Sequence, residues 1–410
     1  MKILIIGNGG REHAIGQKIM KDNPTVQLYF ATGNGGTAQI GTNIPADTVS
    51  ELVQFTENEK IDLTMVGSEA LLVEGIVDQF QEKGLKIFGP HQKAAQLEGS
   101  KAFAKEFMNK YGVKTAAYKT FTGYYAAKDY LAECPYPTVI KADGLAAGKG
   151  VVICKNQEDA ETTLKEIMKD KIFGDSGNTV VIEEFLEGKE ASILSYFNGK
   201  EIVPFISAKD HKKIGEGETG LNTGGMGVVA PNPYVTDKID NVFVNDILNP
   251  TLRGLLQENL IFSGVIFFGL MMTEKGVYLL EYNLRMGDPE TQAILPLMES
   301  NLLKITEKAL NQETFNIQWK KQHSCCVVMV SGGYPLNYDK GFEIMGLEQV
   351  DTDYYIAGAT LKNGKQITSG GRVINVVGYS NTLEEARKKA YDNVKKIRFD
   401  FKYYREDIGL

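Results

Sequence analysis

The residues best suited to chemistry lie in Thr138–Ile153, TVIKADGLAAGKGVVI. A β-branched run ends in Lys141; a loop with Gly144, Gly148, Lys149 and Gly150 follows, and a second β-branched run closes the stretch. This pattern predicts two strands joined by a flexible, cationic flap. Glycines let backbone N–H groups turn towards an anion, and two ammonium groups add point charge, so the natural guest is a polyphosphate, with a nucleotide as first choice. A Walker A loop is excluded: it needs four residues between Gly and Gly-Lys, then a hydroxyl and a helix. Here three residues intervene, Gly150 takes the hydroxyl position and a strand follows. An ordinary glycine-rich hairpin with surface lysines stays open at this point.

Two further stretches carry suitable groups. Ser263–Met272 and Gly276–Asn283 read as a hairpin turned at Glu274-Lys275-Gly276. By the period of two, Glu281, Asn283 and Arg285 share one face, and Leu280, Tyr282 and Leu284 the other. A carboxylate and an amide oxygen two residues apart are hard-oxygen ligands for Mg²⁺, which keeps waters and takes phosphate oxygens elsewhere. Arg285 has the planar fork to clamp a carboxylate or phosphate. Met286-Gly287-Asp288-Pro289-Glu290 then leads into a helix expected to begin near Thr291, and a capped helix start alone would explain it. In Val180–Glu190, a strand presents backbone groups at Glu184–Leu186 beside apolar side chains, which suits the face and edge of an adenine. Glu190 emerges where an acid accepts from ribose hydroxyls; a solvated, acid-rich strand end is the plainer alternative.

These groups need a scaffold. Ile3–Ile6, Leu28–Ala31, Leu63–Val66 and Lys86–Phe88 read as strands separated by helices over Glu12–Lys21, Ser50–Lys60 and Val73–Lys83, which predicts a Rossmann-like parallel sheet. Gly7-Asn8-Gly9-Gly10-Arg11-Glu12 opens the first helix, but Glu12 occupies the third glycine position of a dinucleotide fingerprint and no acid ends the second strand. A phosphate or ribose near Arg11, or a bare βα turn, remains. Ser100 caps a helix over Lys101–Tyr111, stopped by Gly112, with Ala102, Phe103, Phe107 and Met108 inward and Lys101 outward. An α+β segment from Thr120 to about Asn198 holds the flap and a helix over Gln157–Lys169.

Ser207–Pro231 lacks periodicity and reads as a long functional loop carrying Asp210-His211-Lys212-Lys213 and Thr223-Gly224-Gly225-Met226-Gly227. His211 is assigned no catalytic role. After Trp319 come strands over Cys325–Val330, Tyr354–Ala357 and Arg372–Val377 and a helix over Leu383–Ile397. Arg372 begins its strand after two glycines, able to hold a phosphate or merely to cap a turn.

The chain of 410 residues has room for roughly two to four domains with substantial cores. Its 43% hydrophobic and 24% charged residues are those of a globular protein, and a net charge of −7 gives no footprint for nucleic acid. Phosphate sites must therefore be built from a few placed cations. Cys134, Cys154, Cys325 and Cys326 lack Cys-x-x-Cys spacing and read as buried reduced thiols. The N-terminal apolar run is too short for a signal peptide and Val265–Met272 too short for a membrane span, so a cytoplasmic protein is expected.

The order of parts resembles the ATP-grasp superfamily: Rossmann-like start, Lys101, Lys141 and its flap, the Glu183-Glu184-Phe185-Leu186 hinge with Glu190, then Glu281-x-Asn283-x-Arg285. Within it, Gly7–His13, Thr223–Gly227 and Arg285-x-Gly-Asp-Pro-Glu-Thr-Gln resemble the phosphoribosylamine–glycine ligase family of purine biosynthesis, over essentially the whole chain. Met286 stands where the family motif usually has Phe, and Gly67-Ser68-Glu69-Ala70-Leu71-Leu72 replaces Gly-Pro-Glu-x-Pro-Leu. No acid lies on Val265–Leu270, so the metal's ligand set stays open.

The resemblance implies a Rossmann-like domain over 1–100, an ATP-grasp domain over 101–312 with a lid over about 120–190, and an α+β domain over 320–410. It implies that ATP drives formation of glycyl phosphate, which 5-phosphoribosylamine then converts to glycinamide ribonucleotide. Lys101, Lys141, Gly144, Gly148, Lys149, Gly150, Glu183–Leu186 and Glu190 would bind ATP. Glu281 and Asn283 would hold Mg²⁺, or Mn²⁺ in its place. Arg285, Lys141 and Lys101 would be catalytic, with Arg285 on glycine's carboxylate and then the acyl phosphate. Glu69, Asp210 and Arg372 would meet the ribose, amine and 5-phosphate of phosphoribosylamine, in a pocket with Asn8, Gly9, Gly10, Arg11, Thr223, Gly224, Gly225 and Asp288. No nucleic acid or membrane partner is implied, and the chain is expected as a monomer or weak homo-oligomer. Another ATP-grasp ligase, such as a formate-using purine enzyme, is the nearest alternative; a nucleotide sensor without turnover is a more distant one.

Overall fold

A computed structural model describes residues 1–146 and 150–410. The N-terminal sheet is parallel, in the order Thr42–Ile44, Gln27–Thr32, Lys2–Gly7, Leu63–Val66, Ile87–Phe88. Its apolar runs are buried on both faces, as a parallel sheet under helices requires. The order reverses between the strands Lys2–Gly7 and Leu63–Val66, and crevices form beyond the carboxyl ends of strands at such a point. The Gly7–Arg11 turn and Glu69 both emerge there. The expected helix over Val73–Lys83 is instead two helices, Glu69–Glu74 and Ile76–Glu82. Gly75, at φ 94°, ends the first in the left-handed conformation that glycine adopts without strain.

The helix Lys101–Tyr111 forms as the sequence predicts: Ser100 Oγ accepts from Phe103 N at 3.1 Å, and Gly112 closes it at φ 69°. Its buried stripe is Ala104, Lys105, Phe107 and Met108, whereas Ala102 and Phe103 are half-buried. The inward face thus lies further along the helix than expected and takes Lys105 with it. An antiparallel sheet follows in the order Ile202–Pro204, Lys189–Phe197, Gly264–Thr273, Gly276–Asn283. Its core face carries Phe268, Leu279 and Tyr282, each worth about 2 kcal/mol when fully buried, and this burial turns Glu281 and Asn283 the other way.

One expectation fails here. The register shifts between Gly269, opposite Glu281, and Leu270, opposite Leu279, so Leu280 is an extra residue in its strand. The bulge breaks the period of two: Leu280 is half-buried and lines the same cleft as Glu281, rather than joining Tyr282 and Leu284 in the core.

The flap strands, Thr138–Ala142 and Val151–Cys154, pair antiparallel within a sheet ordered Tyr118–Phe121, Val180–Glu184, Thr138–Ala142, Val151–Cys154. Helices Tyr124–Leu131 and Gln157–Met168 cover it around Leu131, Ile140, Leu164, Ile167 and Ile182.

The last sheet runs Lys209–Asp210, Gly227–Ala230, His323–Ser331, Arg372–Ser380, Asp353–Ile356. The stretch expected as a loop over Ser207–Pro231 therefore holds strands, including a hairpin of Lys213–Gly215 with Thr219–Asn222. Its sheet partners lie about a hundred residues on, Val228 opposite Cys326, so no local pattern reveals them. The helix Leu383–Val394 packs on this sheet through Ala386, Ala390 and Val394. The N-terminal part is pinned to it by His13, whose Nδ1 accepts from Ile356 N at 2.9 Å. Burial lowers this imidazole to about 4, so it stays a neutral acceptor. Among the described residues, no helix is long and apolar enough to cross a membrane.

Candidate active site

Residues from or beside all four of these sheets surround a cleft of about 420 Å³. One wall is cationic. Lys141, next to last in its strand and 7% exposed, has Nζ 2.9 Å from Glu183 Oε1 and 3.4 Å from the Leu280 carbonyl. The other oxygen of Glu183 lies 3.0 Å from Lys105 Nζ, which also donates to Thr115 Oγ1 at 2.7 Å. Burial brings Lys105 down to about 8 even though the Glu183 carboxylate resists it. Lys101 Nζ donates to the Gly144 carbonyl at 2.9 Å, and Asp143 accepts from Ser100 Oγ and from Ala102 N, each at 3.0 Å. The root of the flap is thereby tied to the start of the Lys101–Tyr111 helix. Lys101, expected to point outward, is half-buried in the cleft.

Facing the lysines are Glu281 and Asn283. Burial pushes the Glu281 carboxyl up, but Lys212, Lys141, Lys101 and Arg285 together bring it below its ordinary value, so it is an anion. Arg285 sits beside them with Nη2 3.2 Å from Glu98 Oε1 and Nε 3.6 Å from Glu69 Oε2. That Nε is buried and has no hydrogen-bond partner among the described residues, on a side chain that lines the cleft. Glu98 also accepts from Leu284 N at 2.6 Å, which fixes the strand end that carries Arg285. Burial raises Glu98, while burial of Glu69 is outweighed by Arg285 and Arg11, which lower it.

A second cleft, about 610 Å³, opens between the N-terminal turn and the last sheet, lined by Asn8, Gly9, Gly33, Asn34, Gly358 and Ser369 among others. Asp288 and Arg372 line both clefts. Arg372 Nη2 is 3.4 Å from Asp288 Oδ1, and its Nη1 donates to the carbonyls of Asp288, at 2.8 Å, and Gly224. Arg11 crosses from the turn to donate to the Met286 carbonyl at 3.0 Å, braced by an ion pair with the fully buried Glu12. Asp210, Thr223 and Gly224 complete the rim of the first cleft.

Most of the expected residues converge there, with these exceptions. Gly10 is buried against Asn375 and Gln292, outside both linings. Gly225 lies behind the rim, against Asp210 and Pro289. Glu184, Phe185 and Leu186 lie outside the lining, on the connection between the flap sheet and the central sheet; Glu184 Oε1 accepts from Ala117 N at 2.8 Å. Glu190 also lies outside the lining, 2.7 Å from Lys212 Nζ. Glu183 does line the cleft, but with a carboxylate committed to two lysines. Gly148 and Lys149 lie outside the described residues. His211 is buried against the Gly227 carbonyl and lowered by burial to about 4, in keeping with a structural role.

The chain matches the phosphoribosylglycinamide synthetase N domain over residues 1–98, its ATP-grasp (A) domain over 99–291 and its C domain over 324–410. The chain belongs to the phosphoribosylglycinamide synthetase family. It is 55% identical to the phosphoribosylamine–glycine ligase of Fusobacterium nucleatum, across 100% of this chain and 98% of that one. A crystal structure of phosphoribosylamine–glycine ligase from Thermotoga maritima superposes with a TM-score of 0.89 at 33% identity, covering 100% of both chains. A biotin carboxylase from Campylobacter jejuni shares the fold at 13% identity, with a TM-score of 0.76 over 100% of this chain and 94% of that one.

Four polar residues of this phosphoribosylglycinamide synthetase cleft escape the sequence reading: Lys105, Glu98, Lys212 and Glu290. Lys105 follows Lys101 by four, the spacing that puts two side chains on one helix face, and Lys212 follows Asp210 by two. Those spacings could have found them. Glu98 and Glu290 carry no such signal, since their partners Arg285 and Ser192 are distant in sequence.

Proposed function

We propose that the chain joins glycine to 5-phosphoribosylamine with cleavage of ATP to ADP and phosphate, yielding glycinamide ribonucleotide through glycyl phosphate. The observation that carries this reading is the pair of clefts meeting at Asp288 and Arg372: one lined by cations and an anion–amide pair, the other by small polar residues and backbone. Two substrates entering separately would meet where the clefts join. On this reading residues 101–312 form the ATP-grasp unit with a lid over about 120–190, flanked by domains over 1–100 and 320–410. The four cysteines, all free and buried, support a reducing, cytoplasmic setting.

The reaction must bring a carboxylate against a polyanion and then protect an acyl phosphate from water. Lys101 and Lys141 neutralise phosphate oxygens, and Lys212, tied to Glu190, adds a third cation on the opposite wall. The Glu184–Leu186 connection takes the adenine and Glu190 the ribose. Leu280, brought into the cleft by the bulge, gives the nucleotide an apolar surface. Arg285, held by Glu98, directs its open Nε at glycine's carboxylate and then at the acyl phosphate. Gly144 and Gly150, which line the cleft beside Lys101 and Lys141, present their backbone to the phosphates.

Glu281 and Asn283 offer one carboxylate and one amide oxygen, and among the described residues no group of three or more His, Cys, Asp or Glu forms a complete metal cage. That donor set suits Mg²⁺, or Mn²⁺, with water and phosphate oxygens as the further ligands such an ion would need. Held there, the ion would offset charge on the transferring phosphoryl group. Arg372 holds the 5-phosphate, Glu69 the ribose and Asp210 the amine of phosphoribosylamine, with Asn8–Arg11, Thr223–Gly225 and Asp288 walling the pocket.

ADP release, assayed with phosphoribosylamine and either glycine or formate, tests the reading. Turnover with glycine alone of the two acids is expected. Turnover with formate in its place would assign the fold to the alternative ligase, and nucleotide binding without turnover would make it a sensor.

A further inference from the structure

Amide formation leaves one proton to be moved. The nitrogen of phosphoribosylamine attacks the carbonyl carbon of glycyl phosphate, and the C–N bond forms as the π pair moves to oxygen. Collapse breaks the C–O bond to phosphate, which leaves with the electron pair, and the nitrogen must lose one of its two hydrogens as a proton. Three of the cleft's carboxylates are unsuited to receive it. Glu281 is surrounded by four cations and held below its ordinary value, and Asp288 is lowered by Arg372 and Arg11, so both are weak bases. Glu183 is bound to two lysines.

Asp210 differs. It stands in the strand Lys209–Asp210 at the edge of the last sheet and on the rim of the cleft shared by the two substrates. Its Oδ1 is buried and has no hydrogen-bond partner among the described residues. Gly225, at φ 112°, keeps that oxygen clear: a Cβ there would lie 2.7 Å from it and 2.5 Å from Pro289. Buried polar atoms without partners are rare, and one lining a substrate cleft is a group waiting for a donor. The charges around it are Glu290 from the helix Glu290–Ile294, Lys212 beyond its own strand, Glu190 from Lys189–Phe197 and Arg372 from Arg372–Ser380; the neutral Cys326 thiol lies beneath. Burial first, and then the Glu290 carboxylate, hold Asp210 well above the ordinary carboxyl range, although Lys212 and Arg372 oppose them.

We propose that Asp210 is the general base that takes the amine proton during amide formation and returns it to the departing phosphate. This rests on the glycyl phosphate reading and extends Asp210 from contact to catalysis. A carboxyl displaced upward is a stronger base than the lowered Glu281 and Asp288, Glu98 being committed to Arg285, and a positioned base contributes roughly 10²–10⁴ in rate. Glu290, fixed by the Ser192 hydroxyl at 3.0 Å, is the neighbouring carboxylate whose charge adds to burial in holding Asp210 upward.

Asp210→Asn with two acceptors tests it. Hydroxylamine at high concentration traps glycyl phosphate as the hydroxamate without needing an enzymic base, whereas phosphoribosylamine needs one. The variant is expected to keep hydroxamate formation within about twofold of the parent, which also reports that it folds, while kcat with phosphoribosylamine falls by about 100-fold or more. A smaller fall in kcat, a change confined to the KM of phosphoribosylamine, or a parallel loss of hydroxamate would overturn the assignment. If the parent enzyme yields no hydroxamate, the acyl phosphate reading itself fails, and the base with it.

Discussion

Replacing Glu183 with glutamine removes the carboxylate that both Lys105 and Lys141 lean on, at 3.0 Å and 2.9 Å, from a position 3% exposed. Stripping one partner from a buried ion pair costs about 3–5 kcal/mol where the other must stay charged. Lys105 has an exit, because burial has already brought it to about 8. Releasing its proton at pH 7 costs about 1.4 kcal/mol, one pH unit's worth. Adding the lost Lys141 pair at about 1.5–3 kcal/mol gives an expected deficit of about 3–4 kcal/mol at pH 7. The sign with pH follows from the depressed lysine. Between about 8 and the ordinary lysine value the folded state holds fewer protons than the unfolded, so the parent's stability rises with pH there, and Lys105 no longer needs Glu183. The gap between parent and variant should therefore narrow by about 1 kcal/mol between pH 7 and pH 9. Hydrogen exchange of the amides of Thr138–Ala142 and Val180–Glu184 reads the local opening free energy directly. A deficit below about 1 kcal/mol, or one independent of pH, would refute the paired-lysine account.

Other expectations are shorter. Glu281→Ala should abolish turnover without changing the melting temperature appreciably, checked by ADP release at saturating magnesium; normal activity there would dismiss the metal assignment. Arg372→Ala should raise the KM of phosphoribosylamine by roughly one to two orders of magnitude through loss of a charge-assisted phosphate contact, while the KM of ATP stays within about twofold. Glu98→Gln should raise the KM of glycine by about tenfold, since Arg285 Nη2 loses its anchor at 3.2 Å, and steady-state kinetics against glycine would show it.

What the sequence made legible followed from local rules. Lys141 and its flap strands, the capped helix at Ser100 and the shared face of Glu281, Asn283 and Arg285 are governed by neighbours within a few residues, and all appear in the structure. The misses have longer-range causes. Leu280 leaves the core face because its partner strand shifts register at Gly269. The strands within 209–230 are two to four residues long and owe their existence partly to the strand His323–Ser331, too far away to leave a pattern in the segment itself. The split of the Val73–Lys83 helix is written in Gly75, which an apolar period continuing on either side masks. Lys105 and Glu98 were passed over because a charged residue in a helix is usually solvated, and only a buried counter-ion on another element makes it otherwise.

On the proposed mechanism glycine's own carboxylate attacks the γ-phosphoryl group of ATP. Glycine carrying ¹⁸O in both carboxylate oxygens, turned over with ATP and phosphoribosylamine, decides it by mass spectrometry of the released phosphate. Acyl transfer through glycyl phosphate places one ¹⁸O in each phosphate and leaves the other in the amide; phosphate free of label would contradict it.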